Sequence, residues 1–214
     1  TRGFLWWGRN SSSVIVPFHL SLYLSEPDSS YAESIRSLRA NIVPLIQRGI
    51  KAYLVTSSWE GEGKSTVCIN LAVALSEFGL KVLLLDGDLR QRSLTRLLAC
   101  ADTGIPPTGL CQPPLLPGVW LFCSSLPEGE RPADFLARSG YLDALRPVLS
   151  EFDVVLVDSP PLSVCSDAHL LGRLTDGALL VASRDKFRGL PEGHYSEDLR
   201  DHGINILGVV ITGI

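Results

Sequence analysis

The sequence contains no methionine, few histidines and no long apolar run. It opens on Thr, and a chain without a single Met reads as a piece of a longer protein. Its five cysteines (Cys68, Cys100, Cys111, Cys123, Cys165) show neither C-x-x-C spacing nor paired histidines. That argues against a zinc site or a disulfide framework, and for reduced thiols serving as small apolar side chains. His19, His169, His194 and His202 show no triad or metal spacing and read as surface or capping residues. No stretch approaches the length of a bilayer span. "GFLWWG" (residues 3–8) is far too short to cross; it is either an interfacial anchor or a packed or disordered terminus. Positive charge is not in excess. The formal net charge of -4 argues against a general nucleic-acid binder, so no nucleic acid is expected as partner.

The 45% of hydrophobic residues supports a real core, and 214 residues suit one domain. Residues 1–28 read as an irregular N-terminal segment, with "NSSS" at 10–13 and breakers at Pro17 and Pro27. A helix is expected from Ser29, with Glu33 in its first turn. Residues 29–214 then read as one domain in which apolar runs alternate with helical patterns. Strands are expected at 52–57, 81–86, 119–123, 153–158, 177–183 and 205–212. Helices are expected at 64–78, 131–150, 166–174 and 192–202. Val67, Leu71, Ala74, Leu75 and Phe78 share a helical face. "VLLLD" and "VVLVD" are almost continuously apolar, as in strands covered on both sides. This pattern implies a doubly wound α/β domain with a mostly parallel sheet. The Pro- and Gly-rich stretch 101–118 reads as a loop.

"TSSWEGEGKST" (56–66) joins the first such strand to a helix. In a short loop of this kind backbone N–H groups converge on an anion, and the helix N-terminus adds its positive dipole. Gly61 and Gly63 permit the tight backbone, Lys64 would reach β- and γ-phosphates, and Ser65 would hold Mg²⁺. The phosphate-loop pattern is met except that Ser58 takes the place of its first glycine. Two acidic strand ends follow: Asp86 and Asp88 with Arg90 in "VLLLDGDLR", and Asp158 in "VVLVDSPP". In a parallel sheet these ends open on one edge, beside the loop. Three carboxylates there can hold Mg²⁺ or accept a proton from a nucleophile.

These motifs resemble the Walker A, A′ and B segments of bacterial tyrosine kinases (BY-kinases), the cytoplasmic kinase domains of polysaccharide co-polymerases. The match runs through Gly61-Glu62-Gly63-Lys64-Ser65-Thr66, "LLLDGDLR", and "VLVDSPP" followed by Ser166-Asp167-Ala168. Upstream, "YAESIRSLRANI" is similar to the family's E-x-x-R-x-x-R oligomerisation helix, at Glu33, Arg36 and Arg39. The resemblance covers roughly 29–214. It implies a P-loop NTPase architecture of the deviant-Walker, MinD-like type. It implies ATP and Mg²⁺ bound by the loop, with Ser58, Trp59, Glu60, Gly61, Glu62, Gly63, Lys64, Ser65, Thr66, Arg90 and Thr212 at the nucleotide. Ser65, Asp86 and Asp158 would hold the metal, and Asp88 would activate the tyrosine hydroxyl. Lys64, Asp86, Asp88 and Asp158 are therefore the expected catalytic set.

The implied activity is protein-tyrosine phosphorylation in trans within a ring-like homo-oligomer, regulating capsule or exopolysaccharide polymerisation and export. The implied partner is a transmembrane co-polymerase half or adaptor, with no direct contact to the polysaccharide. The implied location is cytoplasmic, peripheral to or tethered at the bacterial inner membrane. The sequence departs from the family where its tyrosines are scattered and no tyrosine-rich tail stands in it. Thr212 replaces an Asn expected near the adenine, and "DLRQRSL" lacks the proline that commonly follows the A′ arginine. Trp59 either covers the nucleotide, faces a neighbouring subunit, or shields the loop. Two other readings remain: a ParA/MinD-like ATPase, or a non-catalytic nucleotide-dependent scaffold of an export complex. The ATPases usually carry an extra lysine early in the loop, where this chain has Ser57-Ser58-Trp59.

Overall fold

Strands that are apolar along their whole length need cover on both faces, and the sheet provides it. The computed structural model describes residues 5–8, 22–98, 109–113, 116–138, 140–187 and 194–213. Among these residues the strands are β1 (Leu5–Gly8), β2 (Ala52–Ser57), β3 (Val82–Asp86), β4 (Gly109–Cys111), β5 (Val119–Cys123), β6 (Val154–Asp158), β7 (Gly177–Ser183) and β8 (Ile206–Thr212). They form one sheet in the order β1-β8-β7-β2-β6-β3-β5-β4. The six central strands run parallel; β1 and β4 close the two edges antiparallel.

The helices are α1 (Leu22–Ser25), α2 (Ser30–Gln47), α3 (Lys64–Glu77), α4 (Ser93–Leu98), α5 (Pro132–Ala137), α6 (Tyr141–Ser150), α7 (Asp167–Gly172), α8 (Arg184–Phe187) and α9 (His194–Asp201). Side chains alternate across the sheet, so each strand feeds two cores. Tyr53, Val55, Leu84 and Leu156 pack with α3 residues Val67, Leu71 and Leu75. Leu54, Leu83, Leu85, Val155 and Val157 join Leu142, Leu145, Ala168 and Leu171 on the other face. α2 lies over α3 with Ile35, Leu38 and Ile42 buried, and Ser29 caps it by accepting the Ala32 N–H at 3.2 Å. Sandwiched between sheet and α2, α3 is buried almost all round rather than on one face. Phe78 is the exception to the expected stripe: it sits at the helix end, 56% exposed.

The six expected strands appear within one residue of their expected limits. The edges differ. Residues 1–28, read as irregular, contain β1 and the short α1, and β1 pairs Leu5 with Ile211 and Gly8 with Gly208. The stretch 101–118, read as loop, contains β4, which pairs Leu110 with Phe122. Such short edge strands are selected by the neighbour they pair with, not by their own pattern. The expected helix 131–150 is two helices, split at Gly140, whose φ of 114° belongs to glycine. The short α4 and α8 carry no periodic signal and were not expected.

Candidate nucleotide site

The loop that joins β2 to α3 spans residues 58–63, at the C-terminal edge of the parallel strands. Gly61 (φ 75°) and Gly63 (φ 92°) give it left-handed turns on either side of Glu62. A Cβ at Gly61 would meet nothing within 4 Å, so conformation rather than space selects glycine there. Lys64 is only 9% exposed, and its Nζ donates to Ser57 Oγ at 3.0 Å. Ser57 Oγ donates in turn to the Trp59 carbonyl at 2.7 Å.

Glu62 is wholly buried and frames the loop. Its Oε2 accepts the Trp59 N–H at 2.8 Å, and its Oε1 accepts the Ser183 N–H at the end of β7 at 3.0 Å. The Thr212 hydroxyl, at the end of β8, donates to the Glu62 carbonyl at 2.9 Å. The resemblance implies Glu62 and Thr212 at the nucleotide; in the structure these polar atoms bind the loop to two neighbouring strands.

Asp86 and Asp158 end β3 and β6 and are register partners across them. Asp86 Oδ2 accepts the Thr95 N–H at 2.8 Å and the Thr95 hydroxyl at 2.6 Å. Asp158 Oδ2 accepts the Ser65 hydroxyl at 2.5 Å. The other oxygen of each, Oδ1, is buried and has no hydrogen-bond partner among the described residues. Burial pushes the Asp158 pKa up to about 7, and the Asp86 and Asp88 charges push the same way; the Ser65 bond and Lys64 oppose this. Burial also raises Asp86, against the two Thr95 bonds. Two buried carboxylates with bare oxygens, flanked by a serine hydroxyl, form an oxygen-rich donor set that fits Mg²⁺.

A cleft of about 340 Å³ opens over the loop. Glu60, Gly61, Gly63, Lys64, Ser65 and Thr66 line it, together with Asp88, Gln91, Ser93 and Pro161. Asp88 Oδ1 is held by the Arg90 and Gln91 N–H groups at 3.2 and 2.9 Å. Gly87 brings β3 and β6 together: its N–H donates to the Asp158 carbonyl at 2.8 Å. Arg90 turns to Asp167, Nη2 to Oδ2 at 3.3 Å, and not to the cleft lining. Ser58, the first residue of the loop, is buried, and Trp59 is 43% exposed. Sequence reading missed Thr95, Gln91 and Ser93; the only signal for them was a polar run directly after the A′ segment.

The three helix residues lie elsewhere. Glu33 and Arg36 pair within α2, Oε2 to Nη1 at 3.0 Å. Arg36 Nη2 also donates to the Pro27 carbonyl. Arg39 Nη1 donates to the Ala74 carbonyl at 3.1 Å, and its guanidinium lies 5.4 Å from the Phe78 ring centre. None of the three reaches the cleft within this chain.

Comparison with known proteins fits this arrangement. A family model described as ATPase MipZ matches residues 53–164. Tyrosine-protein kinase YwqD of Bacillus subtilis (strain 168) is 30% identical over 199 residues, covering 89% of this chain and 84% of that protein. The putative tyrosine-protein kinase AmsA of Erwinia amylovora is also 30% identical, over 92% of this chain, which spans only 28% of AmsA. The solved BceF tyrosine kinase domain aligns over 90% of this chain and 81% of its own at 26% identity, with a TM-score of 0.69. Phosphate loop, paired strand-end carboxylates and these matches agree: the chain belongs to the bacterial tyrosine-kinase family, built on the MipZ type of P-loop fold.

Proposed function

We propose that this domain binds ATP·Mg²⁺ and transfers the γ-phosphoryl group to tyrosine hydroxyls. The observation that carries the reading is the in-register pair Asp86 and Asp158, each with one bare buried oxygen, beside Ser65 and Lys64. The loop N–H groups, Lys64 and Thr66 would hold the phosphates, with Glu60 and Trp59 at the rim. Ser65, Asp86 and Asp158 would hold the metal. Bound Mg²⁺ would neutralise phosphate charge and orient the γ-phosphoryl group. Asp88, facing the cleft from a turn fixed by two backbone N–H groups, would accept the proton of the attacking hydroxyl. Ser58, Glu62, Thr212 and the Arg90–Asp167 pair would act one step back, by fixing the loop and the A′ turn.

The expected acceptor is a tyrosine-rich segment presented by a neighbouring subunit, in a ring assembled through Glu33, Arg36 and Arg39. The wider role is regulation of capsule or exopolysaccharide polymerisation and export, at the cytoplasmic side of the inner membrane beside a co-polymerase half. No helix among the described residues is long and apolar enough to cross a membrane. The match to the MipZ model favours a second reading, a nucleotide switch that hydrolyses ATP without phosphorylating protein. A scaffold that binds ATP without transfer is the third. Nucleotide affinity of Lys64→Met in the presence of Mg²⁺ tests the site: a fall of at least tenfold is expected, and unchanged affinity refutes the assignment.

A further inference from the structure

The second core face ends in a cluster that the nucleotide site does not use. His169 sits on α7, Asp198 on α9, and His202 just beyond the end of α9. His169 Nε2 lies 2.9 Å from Asp198 Oδ2, and His202 Nδ1 lies 3.6 Å from Asp198 Oδ1. The two imidazole rings face each other, 3.9 Å between centres and tilted by 34°. One donor atom from each of the three residues lies within 4.8 Å of the others.

We propose that His169, Asp198 and His202 form a binding site for a divalent transition-metal ion of the Zn²⁺ class. Two imidazoles and one carboxylate are the donor set such ions take, with water in the fourth position. Mg²⁺ and Ca²⁺ prefer oxygen-only shells, so this site and the cleft discriminate between metals. Zinc–nitrogen bonds of about 2.0–2.1 Å require donors roughly 3.3 Å apart in a tetrahedral shell. Asp198 and His202, with side chains 39% and 51% exposed, rotate to reach that spacing, and His202 gives up its bond to the Asp198 carbonyl in doing so. His169 is the anchored ligand, its side chain 12% exposed.

The cluster spans two elements. Asp198 and His202 are four residues apart, which puts them on one helical face. His169 reaches that face from a separate helix. Metal binding therefore clamps α9 onto α7, the helix whose first residue, Asp167, pairs with Arg90 beside the cleft. Without metal, His169 Nε2 meets the Asp198 carboxylate and His202 Nδ1 meets the Asp198 backbone carbonyl at 2.8 Å; with metal, one donor from each side chain would face the cation. His169 Nδ1 has no hydrogen-bond partner among the described residues, so the site should be weaker than a dedicated structural zinc centre.

The test is titration of the metal-free chain with Zn²⁺, against a chromophoric chelator, with nucleotide affinity measured in parallel. One equivalent bound per chain is expected, with a raised Tm. His169→Gln and His202→Gln should each lower the affinity at least tenfold and leave ATP·Mg²⁺ affinity unchanged. Asp198→Asn, which keeps the side-chain shape, should do the same. Absence of uptake overturns the proposal. So does uptake that survives in all three variants, because the ion would then sit on the cleft carboxylates or the thiols.

Discussion

Asp86 and Asp158 face each other in register at the ends of two adjacent parallel strands. Each gives one oxygen to a hydroxyl from a neighbouring element, Thr95 for Asp86 and Ser65 for Asp158, and keeps the other bare. Two buried carboxylates this close repel when both are ionised, and a divalent cation relieves the repulsion.

This sets a pH dependence. The Asp158 pKa stands at about 7 in the folded chain against 3.8 for an ordinary Asp. Between those values the native state binds more protons than the unfolded one, so stability without ligand falls as pH rises through that window. Mg²⁺ needs the carboxylate, so its binding releases a proton below about pH 7. The affinity for ATP·Mg²⁺ should rise with pH, by up to about tenfold per unit below pH 7, and level off above it. Calorimetry in two buffers of different ionisation enthalpy reads the proton directly. Asp158→Asn should abolish the release.

Gly87 should not tolerate a side chain. A Cβ there would stand 2.7 Å from Leu171 Cδ1 and 2.8 Å from the Asp158 carbonyl oxygen. Leucine can shift; the strand carbonyl cannot move without taking Asp158 with it. Gly87→Ala should cost about 1–3 kcal/mol, by denaturant unfolding, and should also weaken ATP·Mg²⁺ binding. A purely local clash would lower stability alone.

Glu62 is a loop brace. Glu62→Ala removes the acceptor of two N–H groups, each bond to a charged oxygen being worth about 1.5–3 kcal/mol. The Tm should drop sharply. Thr212→Val removes the hydroxyl bond to the Glu62 carbonyl and the longer one to the Ala182 carbonyl, and should cost about 1 kcal/mol. If Thr212 instead contacted the base, Thr212→Val would change the preference for ATP over GTP without loss of stability.

The three helix residues should separate by role. Glu33 and Arg36 are an i,i+3 pair on the solvent side of α2, and such pairs add little to stability. Alanine at both should lower the Tm slightly, through the lost bond to the Pro27 carbonyl, and reduce the oligomeric mass in light scattering. Arg39→Ala also removes the bond to Ala74 and the contact with Phe78, so its Tm should fall as well. An unchanged mass in the triple variant refutes the ring.

The parallel core was legible because strands covered on both faces must be apolar throughout, and "VLLLD" and "VVLVD" announce this along with their acidic ends. The loop was legible because Gly61, Gly63 and Lys64 serve backbone geometry and charge that few other residues supply. The edges were not. β1 and β4 exist through pairing with β8 and β5, and no local pattern carries that information. The partner of Asp86 was hidden in the same way: Thr95 lies nine residues downstream on a helix too short to show a period. The resemblance places Glu62 at the nucleotide, and only the fold shows the β7 N–H that it meets. His169 lies about thirty positions from Asp198 and His202, a separation that no spacing rule bridges.

The central claim is that phosphate leaves ATP for tyrosine. The direct measurement is incubation of the chain with γ-labelled ATP, Mg²⁺ and a tyrosine-rich acceptor peptide, followed by phosphoamino-acid analysis. Labelled phosphotyrosine is predicted, absent with Lys64→Met and reduced at least a hundredfold with Asp88→Asn. Free phosphate released at the wild-type rate, with no phosphotyrosine, would contradict the account and leave a MipZ-type ATPase.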